Sequence, residues 1–425
     1  MIESTVQWAV HAASASHAGF GAVALIFGAL LVFGALVSGI VRRSFLSLTA
    51  LFVLTGFALG DGGAQLISFN PRGDFVKDLA IAALIVILFR DGLEVESEML
   101  QREWHLPLRK LVLAMPLTAV LVALTARALT DLNWNECFLI GALLSPTDPV
   151  LSSSIVTNPR VPRLVRHSLN LESGLNDGLA LPAVLAFSAA LRIGDSDFVW
   201  WKFVLQDVSL GLVFGIATGL LASRLMPRGR DLRENIAPHQ QSLYALGVAF
   251  AAYGLAVATP EGNGFIAVYV CAITLGIRRP DIRASFEHRS QDLIEVVKLA
   301  IFVVFGSLLT LHGLFGDGWA AAGIVAFALL VARPLAVLVA LVGAKVDIPT
   351  RLFMGWFGPK GVATMTFALL VLSDHIVSGQ RIFQIAALAV FVSIIAHGLT
   401  DTAGSDWIGR RAERAAARET AAKRT

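Results

Sequence analysis

Long apolar runs separated by short polar loops fill most of the chain. A helix that crosses a bilayer needs about 20 predominantly apolar residues, and thirteen runs approach or exceed that length. The runs are residues 19–41, 45–60, 78–96, 108–130, 136–157, 162–192, 201–225, 240–259, 263–277, 293–313, 318–343, 351–373 and 381–401. This pattern predicts an all-α polytopic membrane protein with about thirteen transmembrane helices.

The composition excludes most classes of soluble protein. Of the 425 residues, 56% are hydrophobic and 15% are charged, whereas soluble domains average about 25% charged residues. A soluble enzyme, a disordered protein and a nucleic-acid-binding protein are therefore excluded, and the expected partner of most of the chain is the lipid bilayer. The two cysteines, Cys137 and Cys271, lie in apolar runs, so no disulfide framework or paired-cysteine metal site is expected.

The basic residues predict the orientation of the runs. Cytoplasmic loops carry an excess of Lys and Arg, and with an outside N-terminus the inside loops hold most of these residues, among them Lys110 and Arg279. We therefore expect an N-out, C-in, multi-pass protein of the cell (inner) membrane. Residues 1–19 contain no Lys or Arg, so they lack the basic start of a cleaved signal peptide. Residues 1–405 form the predicted transmembrane domain, and residues 406–425 a short basic cytoplasmic tail.

Two of the runs are interrupted near their middle by helix-breaking residues. The fifth contains two prolines within residues 146–149, and the twelfth contains Gly-Pro-Lys-Gly at residues 358–361. Proline removes a backbone donor and clashes with the preceding turn, so both helices should unwind there. Asp148 can offset the positive N-terminal ends of the resulting half-helices, and Lys360 the negative C-terminal ends.

The two interruptions occupy matching places in two halves of the chain. The fifth and twelfth runs are seven apart, so equivalent helices in a first repeat (about 19–192) and a second repeat (about 240–401) point in opposite directions. That is the pattern of an inverted-topology repeat, whose broken helices meet near the membrane midplane. The alternative is that the prolines are ordinary kinks in two tightly packed helices.

Two carboxylates, Glu172 and Asp177, lie deep in the sixth run, where a bare charge is costly. On a helix, Ser173 shares a face with Asp177, and Asn176 shares a face with Glu172. We expect Glu172 to pair with Arg333, because a guanidinium group offers a fixed pair of donors to a carboxylate. Asp177 is then left without a dedicated positive partner.

A buried carboxyl group without a positive partner can hold either a proton or a small cation. Burial disfavours the bare carboxylate, and both kinds of bound positive charge relieve that cost. The oxygen atoms of Asp177, Ser173 and Thr147 are candidate ligands of a monovalent metal cation (Na⁺, K⁺ or Li⁺), and nothing in the sequence suits a transition metal. No cofactor is expected beyond the transported ions. The alternative is that Glu172 and Asp177 are both structural, locked in salt bridges inside a helix bundle.

The order and spacing of these residues resemble those of a known family. The matching motifs lie within about residues 85–370 and are Phe89-x-x-Gly92-Leu93-Glu94, Ser145-Pro146-Thr147-Asp148-Pro149, Glu172-Ser173-x-x-Asn176-Asp177, Gly264-Phe265 through Gly276, Ala332-Arg333 and Gly358-x-Lys360-Gly361. Together they resemble the Na⁺/H⁺ exchangers of the cation:proton antiporter superfamily, in the electroneutral bacterial branch that bears an Asn-Asp pair. The sequence departs from that pattern at Lys360, where many exchangers have Arg, and at Arg90-Asp91, which we place near the inside surface.

The resemblance implies a fold, an oligomeric state and a set of residue roles. The fold is a thirteen-span inverted-repeat antiporter in which a six-helix core domain moves against a dimerisation domain, and the oligomer is a homodimer. Asp177 would carry ion and proton beside the neutral Asn176, and Glu172 and Arg333 would form a structural ion pair. The residues placed in or beside the cation- and proton-binding site are Thr147, Ser173 and Asp148.

These expectations describe a secondary active transporter rather than an enzyme. Asp177 would face each side in turn and exchange a monovalent cation for H⁺, a reaction that serves pH homeostasis. Because Asn176 cannot titrate and Glu172 is paired, the exchange should be 1:1 and electroneutral. A cation channel could use the same carboxylates, and an intramembrane serine hydrolase could use Ser173, although no histidine lies at a usable depth. A Na⁺-coupled transporter of organic anions would need more positive charge at the broken helices.

Overall fold

The computed structural model describes residues 48–99, 105–148, 155, 158–192, 199–227, 236–259, 262–374 and 376–422, together with 25, 28, 29, 31, 32 and 36. These residues are almost entirely helical, and their only strand-like pairing is an isolated bridge between Arg192 and Ile376. The helices are α1 (Leu48–Leu59), α2 (Asp74–Met99), α3 (His105–Leu129), α4 (Trp134–Leu144), α5 (Arg163–Ala189), α6 (Trp200–Leu225), α7 (Pro238–Val257), α8 (Gly264–Arg278), α9 (Pro280–Arg289), α10 (Gln291–Ser307), α11 (Leu311–Phe315), α12 (Gly318–Ala340), α13 (Ile348–Trp356), α14 (Val362–Ser373) and α15 (Gly379–Ala422).

The apolar runs coincide with helices because lipid offers no hydrogen bonds to a polypeptide backbone. A helix satisfies its own N–H and C=O groups, which is what a hydrocarbon environment demands. From residue 45 onward every predicted run overlaps a described helix, whereas the run at 19–41 lies almost entirely outside the described residues. Among the described helices, four (α3, α6, α12 and α15) are long and apolar enough to cross a membrane on their own.

The last helix runs through the predicted boundary between the transmembrane domain and the basic tail. The sequence places that boundary between residues 405 and 406, and α15 continues without a break from Gly379 to Ala422. Its final turns are rich in Ala, Arg and Glu, which are strong helix formers. The basic segment therefore continues the helix that begins in the apolar core.

Three short helices meet in the interior of the bundle. Helices α4, α13 and α14 contain 11, 9 and 12 residues, about half the length of a transmembrane helix. The start of α4 is fixed by a capping box in which Asn133 accepts from the Glu136 N–H, and Glu136 accepts from the Asn133 N–H. A fixed start and a short length place the far end of α4 in the middle of the bundle.

Glycines allow close contact between α6 and α8. Gly211, Gly215 and Gly219 recur every four residues on the side of α6 that faces α8, and a Cβ at any of them would press on that helix. Small residues at this spacing let two backbones approach closely where the hydrophobic effect cannot drive helices together. The contact anchors α8, which also packs on α2 and α5 beside the site described below.

Candidate functional site

Two extended segments cross at the centre of the protein. The first follows α4 at residues 145–148, and the second joins α13 to α14 at residues 357–361. The backbone N–H of Asp148 donates to the carbonyl of Pro359 at 2.8 Å, which ties the two segments together. Unwound backbone is tolerated at this depth only where other protein groups or a polar cavity satisfy it. Pro149 and most of the residues up to 157 lie outside the described part of the chain.

A charged residue lies at a helix end on each side of the crossing. The Lys360 ammonium donates at 3.1 Å to the carbonyl of Pro146, just past the C-terminal end of α4. The Asp148 carboxylate accepts at 3.3 Å from the Val362 N–H, the first residue of α14. Each charge thus opposes the partial charge of the helix end that it contacts. A Cβ at Gly361 would overlap the Asp148 side chain, so this close approach requires glycine.

Glu172 is held between two buried cations. Its carboxylate lies 2.6 Å from the Lys110 ammonium and 2.9 Å from the Arg333 guanidinium, and the three side chains are 7%, 0% and 6% exposed. Lys110 also donates to the carbonyl of Ser168 at 3.1 Å, and the Arg333 guanidinium packs against Gly358. The sequence analysis assigned Lys110 to an inside loop, which is wrong. The available signal was its position two residues inside the predicted fourth run.

Asp177 and Asn176 lie next to the crossing on α5. The Asn176 amide donates to the carbonyl and to the hydroxyl of Thr147, at 2.5 and 3.1 Å. Its carbonyl oxygen is buried and accepts no hydrogen bond from any described residue. The Asp177 side chain is only 9% exposed, and no described residue forms a salt bridge with it. Ser173 belongs to the same helix, but its side chain lies outside the described residues.

A second carboxylate lies near Asp177, and sequence reasoning missed it. The charged side chains around Asp177 include Asp91, Asp148, Arg90 and Lys298. Asp91 is fully buried, and one of its oxygens accepts from the Arg90 guanidinium at 2.5 and 2.9 Å. The other oxygen has no hydrogen-bond partner among the described residues. The sequence analysis did not anticipate this burial: the Asp91 side chain is 0% exposed, whereas the Arg90 side chain beside it is 22% exposed.

Tyr269 of α8 fixes the spacing of the two helices that carry these carboxylates. Its ring fills the space beside Gly178 on α5, directly after Asp177. Its backbone carbonyl lies against Gly92 on α2, directly after Asp91. A larger residue at either glycine would push α8 away, so the tyrosine and the two glycines define how close the carboxylates come.

The site offers oxygen atoms rather than nitrogen or sulfur to a bound ion. The candidate donors are the Asp177 carboxylate, the unpaired carbonyl oxygen of Asn176 and the hydroxyl of Thr147. No group of three or more His, Cys, Asp or Glu residues that could hold a metal ion occurs in the described part of the chain. Hard oxygen donors with a single acidic residue suit an alkali cation, and the same carboxyl oxygen can instead take a proton.

Comparison with known proteins gives concordant results. A family model described as "Sodium/hydrogen exchanger, transmembrane" matches residues 26–403. The chain is 26% identical over 391 residues to the K(+)/H(+) antiporter NhaP of Alkalimonas amylolytica, covering 90% of this chain and 66% of that protein. It is 25% identical over 421 residues to the Na(+)/H(+) antiporter of Schizosaccharomyces pombe, covering 88% of each. The fold is that of the sodium proton antiporter MjNhaP1 from Methanocaldococcus jannaschii, with a TM-score of 0.77, 18% identity, and coverage of 92% of this chain and 99% of that one.

Proposed function

Because the chain belongs to the sodium/hydrogen exchanger family, we propose that it exchanges a monovalent cation for a proton across a membrane by alternating access. The observation that carries this proposal is the Asp177 carboxyl. It is buried beside the crossing of the two extended segments, and no described residue neutralises it with a salt bridge. Membership of a family of transmembrane exchangers separates the chain from the enzymes, including the intramembrane hydrolase considered from the sequence.

In the proposed cycle, Asp177 binds a proton and a monovalent cation in turn. With the site open to one side, the carboxyl releases its proton to water and takes up a cation, which the carbonyl oxygen of Asn176 and the hydroxyl of Thr147 help to bind. After the site opens to the other side, the cation leaves and a proton returns. Since the proton and the cation compete for one carboxylate, transport should slow in acid, where the proton occupies the site.

We infer 1:1, electroneutral exchange from the single titrating carboxylate that the site offers to an ion. Asn176 cannot titrate, and Glu172 is held by Lys110 and Arg333 at 2.6 and 2.9 Å. Asp177 therefore takes one proton or one monovalent cation at a time, because binding both would leave a buried positive excess, which is unfavourable at low dielectric.

The identity of the cation does not follow from the donor atoms. Carboxylate, amide and hydroxyl oxygens serve Na⁺, K⁺ and Li⁺ alike, and selectivity among them depends on cavity size and ligand number. The relatives are named for both Na⁺ and K⁺, and the chain spans only 66% of the length of the bacterial K⁺/H⁺ antiporter. We therefore propose the class of alkali cations as substrate.

The proposed topology has thirteen spans, an outside N-terminus and an inside C-terminus, in a homodimer in the inner membrane. The repeats are about 19–192 and 240–401 within a domain at 1–405, and a basic end follows at 406–425. Support for the repeat comes from the two interrupted helices, which lie at matching places in the two halves and meet at one point. Support for the orientation comes from the excess of Lys and Arg residues in the inside loops. This excess remains when the buried Lys110 and Arg279 are left out of the count.

Transport by purified protein in proteoliposomes tests the proposal. A pH-sensitive dye inside the vesicles should report proton movement when Li⁺, Na⁺ or K⁺ is added, with saturation at high cation concentration. Asp177→Asn should abolish that movement, whereas Asp292→Asn, at an exposed carboxylate in the first turn of α10, should preserve it. Persistent exchange by Asp177→Asn would overturn the proposal. Unitary currents in a planar bilayer would instead establish a channel.

A further inference from the structure

An apolar groove on the outside of the bundle runs between α13 and α15. It has a volume of 620 Å³ and is lined almost wholly by apolar atoms. Residues in its wall include Leu352, Phe353, Trp356, Ala403, Gly404 and Trp407. A hydrogen bond from the Trp356 indole to the Thr400 hydroxyl, at 3.0 Å, fixes the orientation of this side chain in the wall of the groove.

A basic pocket of 380 Å³ lies at the end of this groove. It shares Trp407 with the groove and is lined by three arginines, Arg410, Arg411 and Arg414. The one acidic residue in the lining, Asp347, is bound by Arg411 at 2.6 Å, which leaves a net positive charge on the other two arginines. The pocket also reaches the N-terminal turn of α13 at Thr350.

The apolar groove and the basic pocket lie one after the other along α15, in the same order as the hydrocarbon and headgroup layers of a bilayer. The apolar part of α15 is followed by a polar stretch at residues 401–406 and then by Trp407 and the arginines; an aromatic residue followed by basic ones is the usual order at the boundary between hydrocarbon and headgroups. Trp407 is 45% exposed and stands where the two cavities join. A molecule that fills both must be apolar at one end and anionic at the other.

We infer that the groove and the pocket together bind one phospholipid with an anionic headgroup. An acyl chain lies in the groove between α13 and α15, and the phosphate lies in the pocket with Arg410 and Arg414. A free phosphate would leave the groove empty, and a zwitterionic lipid would not offset the arginine charge. The site is separate from Asp177 and does not depend on the proposed exchange activity.

Native mass spectrometry of the detergent-solubilised full chain tests the inference. Phosphatidylglycerol, phosphatidylcholine and inorganic phosphate are titrated separately, and bound lipid is counted per protein. The unmodified protein should retain one phosphatidylglycerol in preference to phosphatidylcholine. Arg410→Gln combined with Arg414→Gln should weaken that binding by about 30-fold, since each basic residue at a membrane surface contributes about a fivefold factor. Ala403→Trp, which fills the groove and keeps the arginines, should also abolish retention of phosphatidylglycerol.

The matched control removes two exposed arginines elsewhere. Arg224 and Arg278, in the last turns of α6 and α8, are both exposed, and their double change to Gln should leave retention unchanged. An equal loss in this control would show a nonspecific charge effect and would overturn the inference. So would equal retention of phosphatidylcholine, or binding of inorganic phosphate that Ala403→Trp leaves intact. A change in oligomeric state with unchanged lipid retention would identify the groove as a protein interface and would also overturn it.

Discussion

Replacing Glu172 by Gln should destabilise the protein strongly, because Glu172 neutralises two buried cations. The substitution keeps the size of the side chain and removes its charge. Lys110 and Arg333, at 2.6 and 2.9 Å, would then face each other with no anion between them. Water cannot reach them to compensate, since the Lys110 side chain is 0% and the Arg333 side chain 6% exposed.

The size of the effect follows from the cost of an unpaired buried charge. Removing one partner of a buried ion pair costs about 3–5 kcal/mol, and here one carboxylate serves two cations. The shift in melting temperature is the lost free energy divided by the entropy of unfolding, which is about 2.1 cal/mol/K per residue, so each kcal/mol is worth about 1 °C in a chain of 425 residues. We therefore expect Glu172→Gln to lower the melting temperature of the purified protein by roughly 3–6 °C, measured by intrinsic fluorescence in a fixed detergent.

Asp131→Asn is the matched control because it breaks an ion pair of the same length at the surface. Asp131 lies 2.6 Å from Arg381, but its side chain is 86% exposed, and water and salt screen such pairs. A much smaller shift is expected. The hydrogen bond from Arg381 lowers the pKa of the Asp131 carboxyl, so any stability from this pair is present above the ordinary aspartate pKa of about 3.9. It is lost as the pH falls through the lower folded value, so the control effect should be constant from pH 5 to 8.

Equal shifts from the two substitutions would refute the argument from burial. A second comparison guards against an unrelated effect of glutamine at this position. Combining Glu172→Gln with Lys110→Met removes one of the two orphaned cations, and replacing buried ions by apolar groups is often neutral or stabilising. The double variant should therefore melt above the single variant. If it melts lower, the Lys110–Glu172 contact is not the origin of the loss.

Two further substitutions probe the surroundings of the crossing. Arg90→Gln removes the cation that holds Asp91, so Asp91 becomes a second carboxylate that can take a positive charge in each cycle. Exchange in proteoliposomes should then become sensitive to a clamped membrane potential, and an unchanged response would contradict the role given to Arg90. Gly358→Ala should destabilise the protein by about 1–3 kcal/mol, because the new methyl group overlaps the Arg333 guanidinium. Gly247→Ala, where a Cβ meets no atom within 4 Å, should not lower the melting temperature.

The positions of the helices and of the interruptions follow from local features of the sequence. Apolar runs and helix-breaking residues act within one segment, so the helices that coincide with apolar runs and the extended segments near Asp148 and Lys360 could be predicted. The polar helix α9 falls between two runs and was not predicted. The environment of Lys110 could not, because its contact with Glu172 joins residues 62 apart on different helices. A hydrophobicity pattern treats a lysine at the edge of a run as exposed, and only packing reveals otherwise. The same limit hid the burial of Asp91.

Glu172 and Asp177, the two carboxylates of α5 beside the crossing, differ in their partners, and this difference would favour cation binding at Asp177 rather than at Glu172. Glu172 is the one carboxylate among three cations, Lys110, Arg333 and Lys360. Lys110 and Lys360 also donate hydrogen bonds to backbone carbonyl groups. A metal cation there would meet three positive charges and no free carboxylate. Asp177, by contrast, forms no salt bridge with any described residue. In the proposed cycle the positive group would repel the transported ion from the structural core of the crossing, and the uncompensated Asp177 carboxylate would hold it where the proton also binds.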